Sequence, residues 1–343
     1  GQLMDCSELR TDVLSGRQSI IAVQRGARQG AYSSEPSLTV EADPFAEGSE
    51  SETPGEVWAI REPGTQPNTG GWRLRVVPNR FPIPSAAVVV EGSTGAGAAG
   101  AELFPVAPFC GVHEVVIECP DLRTRLVDLT VAEISSVFCA WRDRVQWLMR
   151  SGVHRCVAVF RNEGSSAGAS LAHCHSQILA TDYVPELLLE RHRRSGQHRE
   201  LTGRCLVMDL LAAEQRDGRR IIQVDGDLAI WCPFAARTAW HVRLLPLCNV
   251  SFGLASDRLL SVLAEAVRRI SGSLEGAIGT GFPFNLTVVQ PCLDASTAFP
   301  WFVDLMPRLT RQAGWELLSD IDVVPVSPEH SAMRLREQLS AVD

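Results

Sequence analysis

Apolar residues along the chain follow two rhythms. Runs rich in valine, isoleucine and leucine, HEVVIECP (113–120), CVAVFRN (156–162), HVRLLPLC (241–248) and NLTVVQ (285–290), read as buried strands. Between the members of each pair the apolar period lengthens to three or four. Ile134, Phe138, Trp141, Val145 and Leu148 predict one apolar helix face, and Leu259, Leu263, Val267 and Ile270 predict another. Thr130 and Glu133 stand at capping-box spacing before the first helix, and Ser256 opens the second.

The two strand–helix–strand units have nearly equal spacing, from His113 to Phe160 and from His241 to Val289. They predict an α+β fold built by duplication, with two antiparallel-sheet halves and packed helices. The expected organisation is a catalytic half over 1–185, a linker over 186–225 containing the charged stretch ELLLERHRRSGQHRE, and a second half over 226–343. EGSTGAGAAGAE (91–102) reads as a surface loop.

Composition narrows the chemistry. The chain has 343 residues, 45% of them apolar, and a net charge of −8. All 32 basic residues are arginine. That excludes a Schiff-base lysine, a lysine general base and a P-loop lysine, so any phosphate must be held by arginine, histidine, amides or backbone N–H groups. The acidic balance argues against a nucleic-acid partner. No apolar run reaches the ~18 residues of a membrane helix, and no signal peptide is visible. Ten scattered cysteines, none in CxxC spacing, fit free thiols in a cytoplasmic protein.

Candidate chemistry concentrates in RNEGSSAGASLAHCHSQILA (161–180). The small-residue loop from Gly164 to Ser170, including Gly168, lets backbone N–H groups approach a phosphate. In the following strand, alternation puts His173, His175 and Gln177 on one face and Cys174 on the other. A nucleophilic imidazole, a supporting imidazole and an amide donor beside an anion loop suit attack at phosphorus. Two histidines two apart also suit a metal site or a plain surface.

This segment resembles the active-site motif of the galactose-1-phosphate uridylyltransferase family in the HIT superfamily. Its pattern is an asparagine, a small-residue loop, then His-x-His-x-Gln. RTDVLSGRQSIIAVQRGARQ (10–29), WRLRVVPNRFPIP (72–84), PRLTRQAGWEL (307–317) and SPEHSAMRLRE (327–337) resemble further family blocks in the same order. The resemblance implies two HIT-like halves and a covalent nucleotidyl-histidine at His175, with His173 supporting and Gln177 stabilising the transferred phosphate. It implies substrate contacts from Asn162, Gly168, Ser170, Asn79, Arg25, Arg28, Arg311 and Trp315. The implied partners are a nucleotide sugar, a sugar 1-phosphate or inorganic phosphate, and a second copy of the chain as a homodimer. The leading reading is a hexose-1-phosphate uridylyltransferase exchanging the nucleotide between UDP-glucose and galactose 1-phosphate; the alternative is a nucleotide-sugar phosphorylase like ADP-glucose phosphorylase, with inorganic phosphate as acceptor. A non-catalytic nucleotide-binding protein is the third reading.

Counting sixty residues from His113 reaches His173; the same count from His241 reaches Trp301, which sets WFVDL (301–305) against HCHSQ. The second half is therefore expected to lack a nucleophile. Many members of the resembled family bind zinc through two cysteines, a turn histidine and the first histidine of the motif. Here Asp43, Ala46 and Leu122 occupy the first three positions and only His173 remains. Too few ligands are left to close a structural zinc site, so no metal or cofactor is expected.

Overall fold

The structure, a computed structural model, describes residues 7–21, 43–85, 109–292 and 299–341. Arg25 and Arg28 lie outside the described residues.

The periodicities fold as expected. Gly111–Ile117 (β5), Cys156–Glu163 (β6) and His175–Thr181 (β7) form the first unit with helix Val131–Arg150 (α1). Val242–Pro246 (β10), Phe284–Val289 (β11) and Phe302–Pro307 (β12) form the second with helix Asp257–Ile278 (α4). Thr130 and Glu133 make the reciprocal capping bonds of α1, and Ser256 accepts from the Leu259 N–H of α4. The apolar faces of both helices are buried in one core cluster, packed against each other and the sheet.

The remaining described strands include Glu8–Thr11 (β1), Gln18–Ile21 (β2), Trp58–Arg61 (β3), Trp72–Pro78 (β4), Ile221–Val224 (β8), Leu228–Trp231 (β9) and Asp322–Val324 (β13). Ten strands form one sheet in the order β3-β4-β5-β7-β6-β11-β12-β10-β9-β8. The order reads as a five-strand set followed by its mirror copy, joined where β6 pairs antiparallel with β11. At this seam Asn162 lies opposite Asn285 and Phe160 opposite Thr287. The two halves thus share a continuous sheet. Residues of the expected linker fold as two helices, Glu186–Thr202 (α2) and Leu206–Asp217 (α3). Near the C-terminus follow Gly314–Ser319 (α5) and Pro328–Ser340 (α6). Among the described residues, no helix is long and apolar enough to cross a membrane.

Strand pairing corrects the register counted along the chain. Gln177 lies opposite Val115, and Asp304 lies opposite Arg243. With His113 matched to His241, Asp304 takes the place of Gln177 and Phe302 that of His175. The one-residue difference arises in the connections between strands, where counting from a distant histidine accumulates any change of loop length. Since successive strand residues face opposite ways, the slip decides which side chains share the His175 face.

Candidate active site

β6 and β7 pair with Phe160 opposite Gln177, so Phe160, Asn162, His175 and Gln177 share the sheet face turned away from α1. The opposite face carries Ile178 and Ser176, whose hydroxyl accepts from the Trp141 indole at 2.8 Å. Strand β7 begins at His175, so His173 belongs to the preceding loop rather than to the strand face. A cavity of about 280 Å³ opens at this end of the sheet. Asn162, Glu163, Gly164, Ser165, His173 and His175 all line it.

His175 is 6% exposed, and the Phe45 ring meets it edge-on at 5.4 Å. Its Nδ1 lies 2.7 Å from the His173 carbonyl oxygen, a contact only an N–H can make as a hydrogen bond. Among the described residues nothing engages Nε2. Burial is the main reason its pKa falls to about 4, with the nearby charges of Arg161 and His173 adding to the effect. The imidazole is therefore neutral, with its proton on Nδ1 and the lone pair on Nε2, the form that attacks an electrophile.

His173 is held at both nitrogens. Nδ1 meets the Asp43 carboxylate at 2.7 Å, and Nε2 meets the Cys119 carbonyl at 2.8 Å. Burial disfavours its charge, but the bonds to Cys119 and Asp43 outweigh it and raise the pKa to about 9. A charged His173 thus orients its neighbour while opposing protonation of it. With both nitrogens engaged, His173 has no lone pair for a metal. Among the described residues no cluster of three or more potential metal ligands occurs.

Beneath the histidines, Arg161 bridges Glu118 at 2.7 Å and Glu163 at 2.8 Å and reaches the His175 carbonyl at 3.3 Å. Two buried carboxylates share one guanidinium, and burial lifts Glu163 to about pH 7 despite Arg161. Cys174 is buried and accepts from Arg161. The loop above turns on Gly164 and Gly168, whose φ angles of 83° and 92° suit glycine. The N–H groups of Ala167, Gly168 and Ala169 are bonded within the loop, whereas Ser170 stands exposed at its edge.

Gln177 lies about 7 Å farther along the strand than His175. Its Oε1 is 2.8 Å from His113 Nε2, and the Ile83 N–H donates to His113 Nδ1. The second contact fixes the tautomer: Nε2 carries the proton and donates to Oε1, leaving the Gln177 NH₂ to face outward as a donor. Asn79 adjoins the same histidine, and its Oδ1 accepts from the Phe81 N–H. His113 was read from sequence only as a strand marker; its recurrence at His241 is the signal that could have singled it out. Asn285, also missed, donates 2.8 Å bonds to the Asn162 side chain and to the Ala167 carbonyl, tying the second half to the loop.

Arg311 and Trp315 lie elsewhere. Both are exposed, Trp315 on α5 beside exposed Leu317 and Leu318, and neither lines the His175 cavity.

A family model described as galactose-1-phosphate uridyl transferase, N-terminal domain, matches residues 77–185, which contain every residue of the His-x-His-x-Gln motif and its loop. An ADP-glucose phosphorylase of Arabidopsis thaliana is 26% identical across 96% of this chain and 92% of its own length. A galactose-1-phosphate uridylyltransferase of Thermotoga maritima is 27% identical across 66% of this chain and 74% of its own. The crystal structure of an ADP-glucose phosphorylase from Arabidopsis thaliana with bound ADP-glucose superposes with a TM-score of 0.78 at 25% identity, covering 97% of this chain and 99% of that one. Both of these relatives are enzymes by name, one a phosphorylase and one a uridylyltransferase.

Proposed function

We propose that this protein is a nucleotidyltransferase that acts through a covalent intermediate on His175. The observation carrying this reading is the neutral His175, which lines the cavity with its proton fixed on Nδ1 and its Nε2 unbonded among the described residues. Nε2 attacks the α-phosphorus of a nucleotide sugar, an N–P bond forms, and the bond to the departing sugar 1-phosphate breaks. An oxygen of the acceptor phosphate then attacks the same phosphorus and returns the electron pair to Nε2. Gln177 and Asn162 supply amide donors to the charge that develops on the phosphoryl oxygens. No lysine is required.

The acceptor favoured here is inorganic phosphate, giving a nucleoside diphosphate. What supports it is the extent of similarity: the ADP-glucose phosphorylase aligns over nearly both whole chains, the Thermotoga uridylyltransferase over two thirds of this one. Galactose 1-phosphate is the second reading, supported by the family model that matches residues 77–185. Incubation with ADP-glucose or UDP-glucose and each acceptor, with products separated by chromatography, tests the choice. ADP formed from ADP-glucose and phosphate supports the phosphorylase; exchange with galactose 1-phosphate alone overturns it.

The reading includes a metal-independent site, in which the Asp43–His173 pair takes the place of the zinc ligation expected from the family resemblance. It also includes a homodimer, with exposed Trp315, Leu317 and Leu318 meeting the second copy and bringing Arg311 toward its substrate. The cytoplasm, where nucleotide sugars serve as substrates, is the proposed compartment.

A further inference from the structure

The mirror copy of the catalytic face has its own cavity, of about 280 Å³, between α2 and strands β6, β11 and β12. Arg191, Arg237, Thr287, Asp304 and Met306 line it, and Phe160 forms the wall toward His113. Arg191 is 8% exposed, and its Nε has no hydrogen-bond partner; among the described residues none bonds any part of its guanidinium. A buried guanidinium in that condition carries a desolvation penalty that a partner charge normally offsets.

The nearest carboxylate is not available as that partner. Asp304 is clamped by Arg243 through two bonds of 2.7 and 2.8 Å, and His241 Nε2 lies 3.3 Å from the same carboxylate. Arg237 uses Nε toward Asp322 at 3.4 Å and is one-third exposed, which places it at the mouth. Asp322 is in turn approached by Arg17 at 3.8 Å. Near the cavity, the carboxylates of Asp304 and Asp322 are taken up by Arg243 and Arg237, and Asp12 acts on Arg191 only through space, so none of the three bonds the Arg191 guanidinium. Arg191 is enclosed and unsatisfied.

We propose that this cavity is a second anion site, separate from the His175 cavity, in which Arg191 and Arg237 hold a tetrahedral phosphate group. Two sources share that chemistry, inorganic phosphate and the phosphate of a sugar phosphate. Arginine suits either, because its planar fork donates two parallel bonds to phosphate oxygens. The Thr287 hydroxyl adds a neutral donor on the wall toward the seam. The site uses the duplicated framework: where the first half presents an amide at Gln177, the second presents the Arg243–Asp304 pair, and α2 contributes the free cation.

Calorimetric titration with inorganic phosphate at constant ionic strength tests this in the wild type, Arg191→Met, Arg237→Gln and Asn162→Ala. The wild type and Asn162→Ala take up a phosphate that chloride does not displace. Arg191→Met weakens that event at least tenfold, and Arg237→Gln, at the exposed mouth, weakens it several-fold without lowering Tm. Glucose 1-phosphate separates the sources: competition at lower concentration than phosphate identifies a sugar phosphate, and failure to compete identifies inorganic phosphate. Equal phosphate binding by wild type, Arg191→Met and Arg237→Gln, or loss of all binding in Asn162→Ala alone, overturns the proposal.

Discussion

The His175 imidazole donates from Nδ1 to the carbonyl oxygen of His173, 2.7 Å away, while the His173 side chain meets the Asp43 carboxylate at 2.7 Å. The motif's first histidine therefore acts on the second in two ways. Its backbone fixes the reactive tautomer, and its charge adds to the burial that keeps that tautomer unprotonated.

The pH dependence of kcat/KM follows from this. His175 titrates near 4 rather than at the ordinary 6.5, mainly because it is buried. The neutral nucleophile persists as pH falls through 6.5, so the acid limb attributable to His175 lies near pH 4. Its depressed pKa also means that the unfolded chain binds a proton the native state refuses, and this contribution destabilises the fold as pH drops from 6.5 toward 4. NMR titration of the imidazole resonances checks the assignment; a midpoint near 6.5 contradicts it.

Asp43→Ala removes the acceptor of a buried N–H and is expected to destabilise the fold by ~1–3 kcal/mol. The signature is its pH dependence. The raised pKa of His173, about 9, stabilises the native state fully below pH 6.5, and that contribution is lost as pH rises from 6.5 through 9. Denaturant unfolding at pH 6 and pH 9 should show wild-type stability falling between the two and a shallower fall in Asp43→Ala. Parallel curves would refute the role of the pair.

His113→Leu leaves Gln177 without the donor that orients its amide. Gln177→Met, which removes an amide donor from the phosphoryl oxygens, should lower kcat by ~10²–10³-fold. His113→Leu should reproduce part of that loss although it touches no substrate. In the double variant the two losses should not add, because His113 acts through Gln177. Steady-state kinetics of the cycle decides; additive losses would mean independent roles.

Gly168→Ala meets no steric obstacle, since the nearest atom to the new Cβ is Asn162 Nδ2 at 3.7 Å. Its φ of 92° nevertheless places the methyl in strained backbone, at roughly 1–2 kcal/mol. The strain falls on the loop over His175, so kcat/KM should drop about tenfold or less with Tm almost unchanged. A Tm loss without a kinetic effect would place the loop outside the reaction.

Much of the fold was legible because it depends on local period. The buried faces of α1 and α4, the Thr130–Glu133 cap and the duplicated strand–helix–strand units are all short-range signals. The reactive motif was legible for the same reason, since His173, His175, Gln177 and Asn162 lie within sixteen positions of one another. What escaped depends on pairing between distant strands. Asp43 reaches His173 from 130 positions away, and Asn285 reaches Asn162 from 123. The Phe302 register, the His113 donor to Gln177 and the enclosed Arg191 exist only once the sheet is assembled. Arg311 and Trp315 illustrate the converse: residues expected at the site from a sequence block are exposed and do not line the His175 cavity of their own chain.

Intact-protein mass spectrometry after brief incubation with ADP-glucose or UDP-glucose, without acceptor, tests the central claim most directly. The wild type should gain the mass of one nucleoside monophosphate, acid-labile and localised by fragmentation to His175, and should lose it when phosphate or a sugar 1-phosphate is added. His175→Ala should gain nothing. An adduct that survives in His175→Ala, or one that fragmentation assigns to another residue, would contradict the account.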